Sequence, residues 1–343
     1  MKLFRRTGIA VAASMTLALA ACSIGSSDES IVISYNSPEQ WANWGEVLKA
    51  FTKKTGIEAP SDDKNSGKVM AALESEKDSP AGDTAYYGIT FGMQAAEAGL
   101  VAPYQNKKLD EVPDTLKADD GSWFTVHQGA IAFLVNTEAI GDAPVPKCWS
   151  DLTKPAYEGK VSFLDPATAA VGQSVMTAAN LALGGSYDDW GPGLKWANEL
   201  KGDGDLNLPT ETATNQLAQG EIPILIDADF NGYQTAQTQG APIEVVLPCE
   251  GTISAPYVMS LVKDAPHQKN AEKFLDYVLS DEAQRLFAES YLRPIRDVPV
   301  SDKVSKVMLP DATYDKLVEN PDFAKLNAAI PDFVERWKAE VVA

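Results

Sequence analysis

Two carboxylates stand two residues apart in Asp227-Ala228-Asp229-Phe230-Asn231-Gly232-Tyr233, directly after an apolar run ending at Ile226. Carboxylates at a strand end are suited to holding an ammonium group, and the Tyr233 ring would cover it by cation–π attraction. Asp and Asn also favour turns, so ordinary turn chemistry is the competing reading. Asn65-Ser66-Gly67-Lys68 opens an amphipathic stretch containing Val69 and Leu73. The free N–H groups and positive end of a helix starting there would attract an anion, with Gly67 allowing close approach and Lys68 adding charge. Equally, Ser66 would serve as a plain helix cap.

Catalytic chemistry lacks its parts. There is no G-x-S-x-G, no H-E-x-x-H, and no Walker or dinucleotide glycine motif. An enzyme, the competing class, would need a nucleophile with a base, or a metal. The two histidines, His127 and His267, lie near no cysteine pair with ligand spacing, so neither a metal nor another cofactor is expected. His127, in Val126-His127-Gln128-Gly129 before a buried strand, reads as structural.

The elements that must position these groups alternate. Ile31–Tyr35 is β-rich and stops at Asn36-Ser37-Pro38. Trp41–Lys54 has helical spacing, with Trp44, Val47, Leu48 and Phe51 on one face, and stops at Gly56. Strand-like runs follow around Tyr86-Tyr87-Gly88, at Ala130–Val135, Val161–Leu164, Ile222–Ile226 and Val245–Leu247, with a helix at Val175–Leu183 between them. From Ala255 the pattern reads as mostly helical, with Ser280 capping a helix from Asp281. The alternation predicts an α/β fold with a largely parallel sheet.

Lys2, Arg5 and Arg6, the apolar run Ile9–Ala21 and the tetrad Leu19-Ala20-Ala21-Cys22 describe a secretory signal over 1–21. The run is shorter than the ~20 residues that span a bilayer. The tetrad resembles a bacterial lipobox, which implies lipid on Cys22 as the mature first residue, and the Ser-, Gly- and acid-rich segment 22–30 reads as a flexible tether. The net charge of −19 becomes −22 once the three basic residues of the signal are removed. Such a field repels nucleic acid and keeps the chain soluble. With Cys22 assigned to lipid, Cys148 and Cys249 remain in an oxidising compartment, either bonded to each other or as buried free thiols.

Several stretches together resemble family 1 extracellular solute-binding proteins, in the cluster that takes polyamines, thiamine, ferric iron, aminoethylphosphonate and sugar phosphates. They are Phe51–Ile57, Ala98-Gly99-Leu100-Val101, Val135-Asn136-Thr137, Trp149-Ser150-Asp151-Leu152 with Tyr157–Val161, Gln219-Gly220-Glu221-Ile222, and Asn270–Leu275 with Leu279–Gln284 ending at Tyr291-Leu292-Arg293-Pro294. Their order covers nearly the whole mature chain. The resemblance implies a two-lobed, type II periplasmic-binding-protein-like α/β fold with a hinge and an interlobe cleft. Lobe one would comprise 31–133 and 252–343, lobe two 134–251. A Cys148–Cys249 bond would then staple lobe two and leave the hinge free.

The resemblance further implies a monomer that closes over a small solute and hands it to the permease subunits of an ABC importer. It implies contacts at Ser37, Trp41, Tyr86, Tyr87 and Gly88 in lobe one, at Thr168 in the loop Asp165–Ala169, and at Tyr257 near the crossing back to lobe one. Ferric binders place adjacent tyrosines in the second lobe, and this chain has no such pair there, which argues against iron. An anion turn and a carboxylate pair imply a solute of both charges, such as aminoethylphosphonate or a related organophosphate. A polyamine, putrescine or spermidine, fits the acids but leaves Ser66, Gly67 and Lys68 without a role. A surface interaction or signalling module on the same fold is the third class.

Overall fold

A computed structural model describes residues 30 to 342, apart from 203 and 210 to 212. Cys22 and nearly all of the expected signal and tether lie outside the described residues.

The first half of the chain forms β1 (Ser34–Tyr35), α1 (Trp44–Thr55), α2 (Ser66–Ser75), β2 (Thr84–Gly88), α3 (Ile89–Glu97), β3 (Val101–Ala102) and β4 (Phe124–Asn136). The middle adds β5 (Val161–Ser162), α4 (Ala170–Ala182), α5 (Gly191–Lys201), α6 (Ala213–Gln219), β6 (Ile224–Ala228), α7 (Asp229–Gln239) and β7 (Ile243–Val246). The last part is β8 (Thr252–Val262), α8 (Gln268–Val278), α9 (Asp281–Ala288), β9 (Arg293–Pro294), α10 (Asp302–Ser305), α11 (Asp311–Leu317), β10 (Val318–Glu319) and α12 (Phe323–Trp337).

The chain folds as two α/β lobes sharing strand β4. From Phe124 to Ala130 this strand pairs with β8, which in turn pairs with β2 and β3. From Ile131 onward it pairs with β6, and from Phe133 also with β7. At 13 residues β4 is roughly 40 Å long, long enough to serve both lobes. The sheet is mostly antiparallel, which corrects the expectation of a largely parallel one. Among the described strand pairs, β1–β2, β5–β6 and β10–β8 run parallel. The physical reason is the crossing itself: β4 and β8 run in opposite directions, and most strands bond to one or the other.

Local chemistry explains most boundaries. Helix α1 begins three residues later than its spacing predicts, because Ala42 and Asn43 take left-handed conformations (φ 52° and 63°). It ends on Gly56 at φ 73°, whose N–H returns to the Thr52 carbonyl. Ser280 accepts from the Ala283 N–H and so caps α9 as expected. The segment after Ala255, which reads as helical, continues instead as β8, buried along all eleven residues. A strand covered on both faces carries no alternation that distinguishes it from a buried helix.

Behind α1, the rings of Trp44, Phe51, Phe274 and Phe287 meet edge-on or tilted at 5.0–6.2 Å. Truncating one such buried aromatic costs about 3–5 kcal/mol. Cys148 and Cys249 form a disulfide with Cα atoms 4.8 Å apart. It ties the segment before Trp149 to the turn that leads into β8. No helix among the described residues is long and apolar enough to cross a membrane.

Candidate ligand-binding site

A cavity of about 370 Å³ lies where the two lobes meet. Asn36, Pro38, Gln40 and Trp41, between β1 and α1, form one wall. Asp63, Lys64, Asn65 and Ser66, at the start of α2, form the next. Opposite are Leu164 and Ala169–Val171 at the start of α4, and one face of α7: Asn231, Gln234, Thr235, Thr238 and Gln239. Asp227 at the end of β6 and Tyr257 of β8 complete the lining on the strand side.

Of the two lining carboxylates, Asp63 and Asp227, Asp227 is the buried one. It is 2% exposed, and its Oδ1 accepts from the Ala228 N–H at 2.6 Å and the Asn231 side-chain amide at 3.1 Å. Burial pushes its pKa up to about 7, with those two donors pulling the other way. Beside it stand the rings of Trp41 and Tyr257, 5.6 Å apart edge to face, and Trp41 also meets Phe230 at 5.3 Å. A cation entering this corner would gain Asp227 as a charge partner and aromatic surface from Trp41 and Tyr257.

For a group of opposite charge, the cavity offers the start of helix α4. Its N-cap is Ala169, which offers no side-chain bond, and its first residues Ala170 and Val171 line the cavity. The first amides of a helix have no intrahelical acceptor and carry the positive end of its dipole. Lys64 adds the one Lys or Arg among the lining residues described. Its Nζ lies 2.6 Å from Asp62 Oδ2 and 4.5 Å from the centre of the Tyr35 ring.

The turn at Asn65–Lys68 is built differently from either sequence reading. Asn65, not Ser66, caps α2, its side chain accepting from the Lys68 N–H at 2.9 Å. Ser66 Oγ accepts from the Gly88 N–H at 3.3 Å and lines the cavity. The Gly67 N–H donates across the cleft to the Thr168 carbonyl at 3.1 Å. Thus the amides of Gly67 and Lys68 are engaged within the protein. Neither residue lines the cavity, nor does Thr168, whose side chain is exposed.

Of the other candidates, Trp41, Ser66, Asp227 and Tyr257 come together around the cavity. Tyr86 lies behind Trp41, its hydroxyl accepting from the indole N–H at 3.0 Å. Tyr87 is buried against Ser260, and Ser37 bonds the Ser34 carbonyl. Gly88 sits against the Ala170 methyl group. Asp229 and Tyr233 face away into a buried network. Asp229 Oδ1 accepts from the Ala130 N–H at 2.8 Å, and Oδ2 accepts from Arg293 Nη1 at 3.1 Å and the Tyr314 hydroxyl at 2.7 Å. Tyr233 and Tyr314 share a hydrogen bond of 2.8 Å.

Sequence reasoning missed the α7 face. Asn231, Gln234, Thr235, Thr238 and Gln239 are spaced i, i+3, i+4, i+7, i+8, one uncharged polar stripe of a helix. That spacing was available, but Asp and Asn at its start pointed to a turn instead.

Residues 81–328 match the family model described as bacterial extracellular solute-binding protein. An uncharacterized protein from Haemophilus influenzae is 33% identical over 252 residues, 70% of each chain. A Salmonella typhimurium protein, provisionally named a 2-aminoethylphosphonate-binding periplasmic protein, is 26% identical over 273 residues, covering 76% of this chain and 77% of its own. In architecture the chain is similar to a periplasmic binding protein from Actinobacillus pleuropneumoniae solved with fructose-6-phosphate bound. The TM-score is 0.78 at 23% identity, over 91% of this chain and 98% of that one.

Proposed function

The chain belongs to the bacterial extracellular solute-binding proteins, and from that premise we propose that it captures a small zwitterion and delivers it to the permease of an ABC importer. The solute carries an ammonium group at one end and a phosphonate or phosphate at the other, aminoethylphosphonate being the type. The observation that carries this reading is the buried Asp227 carboxylate, beside Trp41 and Tyr257, sharing one cavity with the uncapped start of α4. The ammonium pairs with Asp227, and the anion takes the free amides of α4. A volume of about 370 Å³ is at the small end for ligand pockets, as a compact solute requires.

Closure is by rotation of the lobes about β4 and β8. The hinge lies where β4 changes partners, between Ala130 and Ile131. The contacts Gly67–Thr168, Gly88–Ala170 and Thr90–Gln173 join the lobes at the rim and support a closure that these residues hold shut. The lipobox at Cys22 supports a lipid anchor that keeps a monomeric body tethered to a membrane in the periplasm or at the cell surface.

A polyamine is the second reading, favoured by Asp63, an additional carboxylate among the lining residues. A thermal-shift panel separates the two. At a hundred times Kd a ligand stabilises by roughly 2.7 kcal/mol. Stabilisation by 2-aminoethylphosphonate and none by putrescine or spermidine supports the zwitterion, and the reverse pattern assigns a polyamine. If neither class shifts the melting curve, the reading fails. Intact mass of the membrane-extracted protein tests the anchor, since a mature chain beginning elsewhere than an acylated Cys22 refutes it.

A further inference from the structure

We infer that Tyr86 and His127 govern the solute affinity of the cavity by fixing the Trp41 indole as its aromatic wall. This rests on the binding reading above and assigns positioning roles to two residues that do not line the cavity.

The argument is one of donors and acceptors. An indole N–H can only donate, so in its 3.0 Å contact with Trp41 Nε1 the Tyr86 hydroxyl oxygen is the acceptor. That hydroxyl has one proton left to give, and it lies 2.9 Å from His127 Nε2. Were Nε2 the donor instead, both the hydroxyl proton and Nδ1 would be left unpaired, whereas a hydroxyl donating to Nε2 leaves only the Nδ1 proton unpaired; the second arrangement is the better satisfied, with a neutral imidazole protonated on Nδ1. Burial agrees: His127 is fully buried and its pKa is held down at about 3. The tautomer has a cost, because Nδ1 has no hydrogen-bond partner among the described residues. An apolar ring of the same shape would avoid that cost. The accepting Nε2 is what such a ring would lack. The β4–β8 pairing shifts register between Thr125 and His127, beside this side chain, and an interruption of that kind re-aims a residue within a ladder.

The segment carrying Trp41 needs such a hold. Asn36, Ala42 and Asn43 all take positive φ, at 65°, 52° and 63°. Left-handed conformations at non-glycine residues persist only where the surroundings impose them. Tyr86 grips this segment twice: its carbonyl accepts from the Asn36 side-chain amide at 2.9 Å, and its hydroxyl accepts from Trp41. The ring of Tyr86 also stacks on Tyr257 at 5.3 Å, so both aromatic walls of the ammonium corner rest on one residue. Without the hydroxyl, the indole keeps only its ring contacts with Phe230 and Tyr257 and loses the one hydrogen bond that fixes its edge.

The test uses the full mature chain and the variants Tyr86→Phe, His127→Phe and Trp41→Phe. Of the seven tryptophan indole N–H signals, the one missing in Trp41→Phe identifies Trp41. In the ligand-free protein its exchange should accelerate at least tenfold in Tyr86→Phe and also in His127→Phe, with the other indoles unchanged. His127→Gln, whose side-chain oxygen can accept, should restore protection. Affinity for 2-aminoethylphosphonate and for putrescine is then measured in both backgrounds. Loss of one hydrogen bond in Tyr86→Phe should weaken the bound probe about tenfold with Trp41 present. With Trp41 already replaced by Phe, the same change should weaken it less than twofold. Equal losses in both backgrounds, or unchanged Trp41 exchange in Tyr86→Phe and His127→Phe, would overturn the inference. Should the wild-type protein bind neither probe, the zwitterion and polyamine readings fall while the indole exchange still decides the positioning role. If Tyr86→Phe does not fold, His127→Phe carries the same two measurements.

Discussion

Gly67 and Thr168 meet across the cleft through their backbones, the amide of one donating to the carbonyl of the other at 3.1 Å. A Cβ on Gly67 would stand 2.6 Å from that carbonyl oxygen, too close for any side chain. The obstacle is backbone and cannot swing aside. Gly67→Ala should therefore penalise the closed form and spare each lobe. An overpacked contact costs about 1–3 kcal/mol, which predicts a ten- to hundredfold weaker solute affinity. Calorimetric titration gives the affinity, and small-angle scattering should show an open envelope that ligand no longer contracts. A variant that binds and contracts like the wild type would show that this contact does not limit closure.

Asp227 makes binding depend on pH in a definite direction. Its carboxyl titrates near 7 in the folded chain and near the ordinary 3.9 when unfolded. The unfolded state therefore gives up its proton first as pH rises. Stability associated with this group is fully present below about pH 4 and is lost as pH climbs through 7. Asp227→Asn, which stays neutral, should melt higher than the ligand-free wild type at pH 8 and about equal to it at pH 4. An ammonium solute selects the ionised carboxylate, so binding at pH 7 should release about half a proton, visible in titrations across buffers of different ionisation heat. Asp227→Asn should abolish that release and weaken an ammonium ligand on the order of a hundredfold.

The elements with local signatures were legible before the structure. Trp44, Val47, Leu48 and Phe51 repeat at helical spacing, and Gly56 and Ser280 sit where caps are needed. Trp41, Ser66, Asp227 and Tyr257 were named as contacts and share the cavity. The antiparallel arrangement was not legible, because direction follows from how often the chain crosses between lobes and leaves no local mark. Nor was the fate of the Gly67 amide, since its acceptor on Thr168 lies a hundred residues away. Asp227 and Asp229 look equivalent in sequence. The start of α7 at Asp229 turns one toward the cavity and the other toward Arg293.

The Cys148–Cys249 bond closes a loop with a sequence separation of 101. Chain-entropy reasoning assigns a loop of that size about 4–5 kcal/mol, and removal of native disulfides costs about 2–5 kcal/mol in practice. Cys148→Ser with Cys249→Ser should lower the melting temperature by several degrees and raise sensitivity to denaturant by a comparable free energy. Neither cysteine lines the cavity, so affinity for a bound solute should stay within twofold. A large affinity loss with an unchanged melting curve would place the bond in the binding machinery instead.

Asp229 joins four parts of the chain: α7, the Ala130 amide on β4, Arg293 on β9 and Tyr314 on α11. The Arg293 guanidinium carbon also lies over the Tyr314 ring, 3.5 Å from its centre. Asp229 is fully buried, so Arg293→Met would strand its carboxylate with only the Ala130 amide and the Tyr314 hydroxyl. Breaking one side of a buried pair costs about 3–5 kcal/mol. Tyr314→Phe removes a single hydrogen bond to the same carboxylate and should cost about 1–2 kcal/mol. The position of the Ala130 amide gives this network a second effect. Ala130 is the last residue of β4 paired with β8, and Ile131 the first paired with β6, so the carboxylate pins the strand at its change of partner. Denaturant melts should rank Arg293→Met well below Tyr314→Phe. Hydrogen exchange at Ala130 should accelerate in Arg293→Met beyond the change in global stability. If exchange at Ala130 only follows the global melt, the network supports the fold without governing the hinge.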